Sequence, residues 1–444
     1  MRRLIEHATI WNGADRVILD GAVVVDDDTI SAVLDGSTED ADVAGAERFD
    51  AGGRLLIPGL INAHTHLYSS LARGMSVPGF APSGFTAILE QLWWRLDKAL
   101  DPESVRMSAT IGAMEAARCG ITTLIDHHAS PHAIHGSLTA LRDAVCRDVG
   151  LRGAFCYEVS DRDGPRSRDE GISENVAFLA EAPPENRTNA AQFGLHASFT
   201  LSDETLERVA EHLPSGTGVH IHVAEGPEDE TGCVTEHGVR VVKRLQQFGF
   251  LRRSSLFAHC LHIDDEEKDL LAEHDVMVVH NPRSNMNNAV GAFALDDLRR
   301  RKLLMGLGTD GLGANMLGEL FTAGLLQRHE RRDPLAGGLE ALHALQFSGN
   351  AAIVERLFGV DVGRIAPGYA ADLTLLDYRP PTPFRAENAL GHFLFGLAVH
   401  ATRVTDLWVA GAPVLADGRF VDLDEDGIYE KSREIALRLW ERVT

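Results

Sequence analysis

The chain has 444 residues, of which 44% are hydrophobic and 24% are charged, a profile typical of an ordinary globular protein. Its formal net charge of −23 argues against nucleic acid and anionic membranes as partners, because both require clustered lysine and arginine. The sequence has no apolar run of roughly 20 residues, no signal-peptide pattern and no paired cysteines, which predicts a cytoplasmic protein with reduced thiols.

Short strands are predicted at both ends of the chain. They cover residues 22–25, 30–34, 371–377, 404–410 and 413–418. An amphipathic helix follows at residues 427–444, with its apolar residues on one face. We therefore predict one small β-sandwich domain built from both termini, comprising residues 1–57 and residues 369–444 with the C-terminal helix.

The middle of the chain, residues 58–368, alternates predicted strands with helices, which is the pattern of a parallel sheet. The predicted strands begin near Leu55, Ile121, Leu151, Phe193, Gly218, Ser255, Val276 and Leu303. Eight such units over about 310 residues predict a (β/α)8 TIM barrel with insertions. The longest insertion, residues 67–100, carries Trp93 and Trp94 and is predicted to act as a lid.

Polar side chains suited to metal binding follow most of these strands. The first strand, an apolar run from Leu55 to Ile61, leads to His64 and His66, which share a face because alternate residues of a strand do. The other strand ends carry Asp126, His127, His128, Glu158, His196, His220, His222, Glu225, His259, His280 and Asp310. In a TIM barrel these ends meet at one rim, where the active site lies. Burying so many histidines together is costly without a ligand or a metal.

His64, His66, one histidine of the fifth strand and Asp310 would supply nitrogen and oxygen ligands to one metal. Such a set suits Zn²⁺, with Fe²⁺ and Mn²⁺ as alternatives. A two-metal centre bridged by a carbamylated lysine would need a lysine at an inner strand end, and Lys302 precedes strand eight at its other end. We therefore predict a single divalent metal ion, with zinc preferred.

Segments along nearly the whole chain resemble the amidohydrolase superfamily, in its deaminase and chlorohydrolase branch. They are residues 58–66 (PGLINAHTH), the pair His222 and Glu225, His259, residues 280–285 (HNPRSN), residues 308–311 (GTDG) and residues 365–373 (IAPGYAADL). Residues 92–97, 126–131, 284–288 and 382–383 resemble more closely the aminohydrolases of the SsnA group. The resemblance implies a metal-dependent hydrolase with a TIM barrel.

The resemblance also implies roles for individual residues. The implied metal ligands are His64, His66, His222 and Asp310. His222 is preferred to His220 because the family places the ligand three residues before the glutamate, here Glu225. Glu225 would be the proton shuttle, His259 would orient the attacking water, and Asp310 would accept a hydrogen bond from that water. His220 lies one step deeper on the strand, where it would support the ligands.

Several residues are candidates for the pocket walls. They are Tyr68, Trp93, Glu158, His196, Phe199 and Asn285. His196 matches a family position that usually touches substrate, and Trp93 indicates either a flat aromatic ligand or simple packing of its loop. One of the adjacent pair His127 and His128 is expected to face the pocket, and His128 is preferred. Arg162 and Arg166 are expected in a solvated charged loop, with contact to an anionic group of the substrate as the alternative.

Together these features predict a metal-dependent aminohydrolase that replaces an amino group on a nitrogen heterocycle, purine-like in the leading hypothesis. The alternative is hydrolysis of a cyclic amide or of a carbon–halogen bond by the same site. A third hypothesis, a catalytically dead barrel that serves as a binding module, is disfavoured because every position of the site is filled. The expected partner is a small heterocyclic substrate, and the expected assembly is a homodimer, the commonest soluble oligomer.

Overall fold

The computed structural model describes residues 1–36, 43, 45–181, 187–400 and 403–443. Its strands are β1 Arg2–Trp11, β2 Val17–Asp26, β3 Thr29–Asp35, β4 Glu47–Asp50, β5 Leu55–Pro58, β6 Leu60–Thr65, β7 Ile121–His128, β8 Arg152–Tyr157, β9 Asn189–Ala191, β10 Phe193–Ala197, β11 Val219–Val223, β12 Leu256–His259, β13 Met277–His280, β14 Leu304–Leu307, β15 Leu373–Leu376, β16 Val404–Val409, β17 Ala412–Ala416 and β18 Arg419–Phe420.

The α-helices are α1 Phe85–Ile88, α2 Trp94–Ala99, α3 Pro102–Arg118, α4 Ser137–Arg142, α5 Gly164–Leu179, α6 Asp203–His212, α7 Pro227–His237, α8 Val241–Gln247, α9 Asp265–Glu273, α10 Pro282–Asn287, α11 Leu295–Arg300, α12 Met316–Arg331, α13 Leu339–His343, α14 Asn350–Phe358, α15 Ala389–His392 and α16 Glu425–Val443. Short 3-10 or π-helical turns cover Leu67–Ala72, Leu89–Trp93, Asp143–Val149, Ser198–Thr200, Ala344–Gly349, Ala386–Asn388 and Phe393–Leu397. Within the described residues, no helix combines the length and apolarity needed to cross a membrane.

The parallel strands of the middle region close into a barrel. Strands β6, β7 and β8 form one run, to which the short β9 is added, and β10 to β14 form the other. Two bridges join the runs, one between Thr65 and Asp310 and one between Val159 and Leu195. The predicted (β/α)8 barrel is therefore confirmed, and its carboxyl strand ends meet at one rim.

The strands of both termini form one nine-stranded sheet, in the order β18-β17-β16-β15-β5-β1-β2-β3 with β4 paired to β1. The two termini meet where β5 and β15 pair antiparallel, with Leu373 opposite Pro58. Neighbouring residues of β1 point to opposite faces, so that Ile5 and Leu4 belong to different apolar clusters. The terminal β-sandwich built from both ends is confirmed, whereas the domain limits 1–57, 58–368 and 369–444 stay predictions.

The apolar run from Leu55 to Ile61 is not one strand, and its prediction as the first barrel strand is corrected. It serves two sheets, since β5 belongs to the terminal sheet and β6 to the barrel. The change occurs at Gly59, whose N–H donates to Asp372 O at 2.8 Å, while the next N–H donates to Gly120 O at 2.9 Å. A side chain at Gly59 would lie 2.2 Å from Thr122, so the close approach requires glycine.

The 67–100 insertion is fastened to the barrel by helix α16. Trp440 Nε1 donates to Leu71 O at 2.7 Å, and Arg442 Nε donates to Ala99 O at 2.7 Å. In the other direction, Arg95 donates to Val443 O at 2.7 Å. Helix α16 starts two residues earlier than predicted, and it buries the predicted apolar face against the insertion and α3.

Replacement of Gly59 by alanine is expected to destabilise the protein by about 1–3 kcal/mol, because the added methyl group overlaps the Thr122 side chain at the junction of the two sheets. The matched control is Gly232→Ala in α7, where no heavy atom lies within 4 Å of the added carbon. That change should leave the stability unchanged or raise it by up to about 1 kcal/mol. Denaturant midpoints of the two variants measure the difference, and equal midpoints would contradict the assigned role of Gly59.

Candidate active site

Four residues from three strand ends converge inside the rim of the barrel. His64 and His66 follow the apolar part of β6, His222 lies on β11, and Asp310 follows β14. Their ligand atoms all lie within 4.8 Å of one another, and all four residues are buried. His66 Nε2 is 3.1 Å from His222 Nε2 and 2.9 Å from Asp310 Oδ1. The prediction that strand ends bring these four side chains together is met by this geometry.

The orientation of the imidazole rings fits a metal ion. His66 Nδ1 donates to His127 O at 2.6 Å, and His222 Nδ1 donates to His196 O at 3.0 Å. A carbonyl oxygen only accepts, so the proton of each neutral ring lies on Nδ1 and the Nε2 lone pairs face each other. His64 Nε2 is buried without a hydrogen-bond partner. Lone pairs aimed at one another repel unless a cation lies between them, and three nitrogens with one carboxylate oxygen suit zinc.

Burial and charge shift the pKa values of the three histidine ligands in different directions. Burial lowers the pKa of His64 to about 3 and that of His222 well below its ordinary value, so both rings are neutral at pH 7. Burial acts in the same direction on His66, but the carboxylate of Asp310 outweighs it and raises the pKa of His66 to about 9. A metal ion between His66 and Asp310 replaces that proton, so metal binding releases protons.

His220 supports the metal ligands from below. Its Nε2 lies 2.8 Å from His64 Nδ1, and both rings are buried. This contact fixes the His64 ring with Nε2 directed toward the other ligands. His220 therefore lies where it was predicted, two residues before His222 on β11 and deeper in the barrel.

Glu225 and His259 lie beside the metal ligands. Their facing atoms, Oε2 and Nε2, are 3.4 Å apart, and His259 Nε2 is 3.8 Å from Asp310 Oδ2. Asn288 Nδ2 donates to Glu225 Oε1 at 3.1 Å, while His259 Nδ1 donates to Asn285 Oδ1 at 2.8 Å. Burial raises the pKa of Glu225, which favours a carboxyl group able to take up and return a proton.

Strained backbone positions aim these side chains. Ala224, His259 and Asp310 have φ values of 46°, 71° and 55°, in the left-handed region that residues with a side chain rarely adopt. The carboxylate of Asp229 accepts from the N–H groups of Ala224 and Phe199, and Asp310 N donates to His64 O at 3.0 Å. Hydrogen bonds therefore hold the strain in place, as is typical of functional sites.

A cavity opens above the metal ligands. It is lined by His66, Tyr68, Phe85, Leu89, Trp93, Trp94, Asp97, Glu158, His196, Ala197, Phe199, His222, Glu225, Asp229, Ser284, Asn288, Asp310, Gly311 and Leu312. Five predicted pocket residues, Tyr68, Trp93, Glu158, His196 and Phe199, lie in its wall. The 67–100 insertion supplies much of that wall.

Sequence reasoning missed part of the wall that the insertion supplies. Phe85, Leu89 and Asp97 line the cavity together with the predicted Trp93. These four residues are spaced four apart, which is the signature of one face of a helix. The spacing was present in the sequence and was the signal that could have identified them.

The choice of His128 as the pocket-facing member of its pair is wrong. His128 Nε2 bonds Ser130 Oγ at 2.9 Å and its ring lies beside Tyr157, away from the cavity. His127 points into the barrel, with its ring centroid 4.7 Å from that of His222. Adjacent residues of a strand point to opposite sides, and β7 is buried on both, so its sequence did not reveal which side faces inward.

Two further expectations are corrected. Asn285 does not line the cavity, because its side chain is used to hold the ring of His259. Arg162 is not solvated, since it is buried with its guanidinium 2.9 Å from Asp97 Oδ2 and 3.4 Å from Glu158 Oε1. Arg162 is paired with Asp97, which belongs to the insertion. The local sequence around Arg162 does not show this distant contact.

Comparison with known proteins identifies similar chains. The sequence profile described as "Amidohydrolase family" matches residues 55–418. The chain is 30% identical to the 5'-deoxyadenosine deaminase of Methanopyrus kandleri over 433 residues, which are 96% of each chain. It is 28% identical to the 5-methylthioadenosine/S-adenosylhomocysteine deaminase of Pelotomaculum thermopropionicum, over 99% of each chain.

Solved structures share the fold. A zinc-bound adenosine deaminase from Xanthomonas campestris superposes with a TM-score of 0.82 at 26% identity, over 98% of both chains. The zinc complex of atrazine chlorohydrolase TrzN from Arthrobacter aurescens TC1 superposes with a TM-score of 0.80 at 21% identity, over 98% of this chain and 99% of that one. The second likeness shows the fold alone.

Replacement of His220 by alanine is expected to weaken zinc binding by about 10- to 100-fold, because it removes the ring that orients His64. Zinc affinity is measured by competition with a chromogenic chelator, on protein shown to be folded by circular dichroism. The control is His135→Ala, since that imidazole is fully exposed. If His220→Ala binds zinc as tightly as the control, the orienting role of His220 is refuted.

Proposed function

Because the chain belongs to the amidohydrolase family, we propose that it is a metal-dependent deaminase that removes the amino group of an adenine-type ring as ammonia. The observation that carries the proposal is the group formed by Glu225, His259 and Asp310, whose ligand atoms lie within 4.8 Å of one another beside the metal ligands. Relatives that match over 96% or more of this chain are named as deaminases of adenine nucleosides, which supports the proposal.

Each residue at the rim has its own role in a hydrolytic deamination. A divalent metal held by His64, His66, His222 and Asp310 would lower the pKa of a water molecule, so that hydroxide becomes available at neutral pH. Glu225 accepts the proton of that water and delivers it to the ring nitrogen next to the carbon under attack. His259 stabilises the negative charge that develops on the attacking oxygen.

The leaving group departs with a second proton transfer. Glu225 takes the remaining proton from the hydroxyl group added to the ring carbon and passes it to the amine; the C–N bond breaks, ammonia is released, and the ring carbon becomes a carbonyl. One water is consumed for each ammonia formed. Asn288 keeps Glu225 directed at the reacting atoms, and Asn285 does the same for His259.

The shape of the cavity supports a flat substrate. Five tyrosine, phenylalanine or tryptophan side chains line it: Tyr68, Phe85, Trp93, Trp94 and Phe199. Aromatic side chains pack well against the face of a planar heterocycle. The wall therefore fits a fused or single nitrogen ring whose amino-bearing carbon reaches the metal end of the cavity.

Hydrolysis of a cyclic amide or of a carbon–halogen bond remains the second candidate activity, since the same apparatus also activates water for those reactions. Glu225 favours deamination because that route needs a proton carrier to the ring nitrogen. A binding module without catalysis is disfavoured, because each ligand and proton-transfer position holds a competent side chain. Membership of the SsnA group, a cytoplasmic location and a homodimer are further proposals.

The proposed activity is tested by ammonia release from purified, zinc-loaded protein over a panel of adenine nucleosides, pterins, triazines and cyclic ureas. Ammonia is expected from at least one adenine nucleoside, with the matching carbonyl product identified by mass spectrometry. A zinc-loaded protein that is inert towards the whole panel would falsify the proposal.

Replacement of Glu225 by glutamine is expected to keep the metal and to lower kcat by about 10²- to 10⁴-fold, because the amide cannot carry the proton. Zinc content and ammonia release are measured on the same preparation. The control is Glu236→Gln in α7, whose side chain is 72% exposed and which should behave as the parent protein. If Glu225→Gln instead loses the metal, Glu225 is a ligand and its assigned role is wrong.

A further inference from the structure

The two carboxylate oxygens of Asp310 face different groups. Oδ1 lies 2.9 Å from His66 Nε2 and 3.6 Å from His64 Nε2, on the side of the metal ligands. Oδ2 lies 3.8 Å from His259 Nε2 and accepts a hydrogen bond from the hydroxyl group of Ser284. One oxygen of this carboxylate is therefore directed at the metal site, and the other is held by a side chain that is not a metal ligand.

The hydroxyl group of Ser284 has only one proton, and its neighbours decide where that proton goes. Asn288 Nδ2 lies 3.4 Å from Ser284 Oγ, and an amide nitrogen can only donate. The same Nδ2 donates to Glu225 Oε1 at 3.1 Å, while Asn288 Oδ1 accepts from Asn287 Nδ2 at 3.2 Å. These contacts fix the orientation of the amide, so the Ser284 proton is left for Asp310 Oδ2.

Helix α10 holds Ser284 in place. Ser284 and Asn288 are four residues apart and lie on one face of this turn, where Asn288 N donates to Ser284 O at 2.9 Å. The N–H of Arg283 donates to Glu319 Oε2 at 3.2 Å, which fastens α10 to α12. The Ser284 residue is only 3% exposed. A buried hydroxyl group on a fixed turn holds its acceptor in one orientation.

We propose that Ser284 is a positioning residue that makes Asp310 a one-oxygen ligand of the metal. The inference rests on the proposed metal-dependent function and adds a residue to its site. A carboxylate binds a metal ion through one oxygen or through both. The hydrogen bond from Ser284 occupies Oδ2, so that Oδ1 alone binds the metal and Oδ2 stays an acceptor for the attacking water. Without the hydroxyl group, Oδ2 is free to bind the metal too, which adds a ligand and removes that acceptor.

The test compares Ser284→Ala, which removes the hydroxyl group, with Ser284→Thr, which keeps it. Both are prepared as full-length protein loaded with Co²⁺, whose visible absorption weakens as its coordination number rises. Ser284→Ala should absorb more weakly than the parent protein, and Ser284→Thr should match the parent. The control is Ser108→Ala in α3, because that hydroxyl group is also buried and has no hydrogen-bond partner among the described residues. A Ser284→Ala spectrum equal to that of the control would overturn the proposal.

Steady-state kinetics of the zinc-loaded proteins distinguish a positioning role from substrate contact, since Ser284 also lines the cavity. Ser284→Ala should lower kcat by about 10- to 100-fold and leave KM within about threefold of the parent value. Ser284→Thr should restore most of the lost kcat, and Ser108→Ala should retain the parent values. A raised KM with an unchanged kcat would make Ser284 a substrate contact and would also overturn the proposal.

The two measurements separate this inference from the deaminase assignment, because the Co²⁺ spectrum requires no turnover. If Ser284→Ala weakens the spectrum and the parent protein deaminates no compound of the panel, the role of Ser284 stands and the proposed reaction fails. If the parent protein deaminates an adenine nucleoside and Ser284→Ala matches Ser108→Ala in spectrum and in kcat, the reaction stands and the role of Ser284 fails.

Discussion

The active site depends on two lone pairs that are held face to face. The Nε2 atoms of His66 and His222 lie 3.1 Å apart, and each ring is fixed in that orientation by a carbonyl oxygen on a neighbouring strand. When both rings are neutral these lone pairs repel each other, and either a proton on His66 or a metal ion bound between the rings relieves the repulsion. Because β6 and β11 are not neighbours in the sheet, a metal bound there joins two sides of the barrel. Metal binding and barrel stability are therefore linked.

Buried ion pairs hold the 67–100 insertion against the strand ends of the barrel. Glu158 lies close to the ring nitrogens of His66 and His222, and its carboxylate is 3.4 Å from the guanidinium of Arg162. The same guanidinium is 2.9 Å from Asp97, which belongs to the insertion. One arginine therefore links the insertion to the strand end that carries Glu158.

The sequence predicted best what strand geometry dictates. The spacing of His64 and His66 places both on one face of a strand, and the carboxyl ends of parallel strands must meet, so these two residues were expected to share a metal with Asp310 and one histidine of the fifth strand. The choice of His222 for that position came from the family resemblance. Sequence-based prediction failed at His127 and His128, because their strand is buried on both sides. It failed also where a partner is distant, since Arg162 is paired with a residue 65 positions away. The local sequence does not show which side of a fully buried strand faces the barrel interior, and it does not show an ion pair between residues far apart in the chain.

The contacts that α16 makes with the 67–100 insertion affect the order in which parts of the protein fold. The last metal ligand along the sequence, Asp310, leaves the ribosome well before α16, the helix that holds Arg95 and the insertion in place. Chains grow from the N-terminus and fold as their segments emerge. The metal ligands are thus all present in a nascent chain whose cavity wall still lacks its support. Helix α16 is therefore a late-folding support of the cavity, and the insertion reaches its final position only when Trp440 and Arg442 have made their contacts with it.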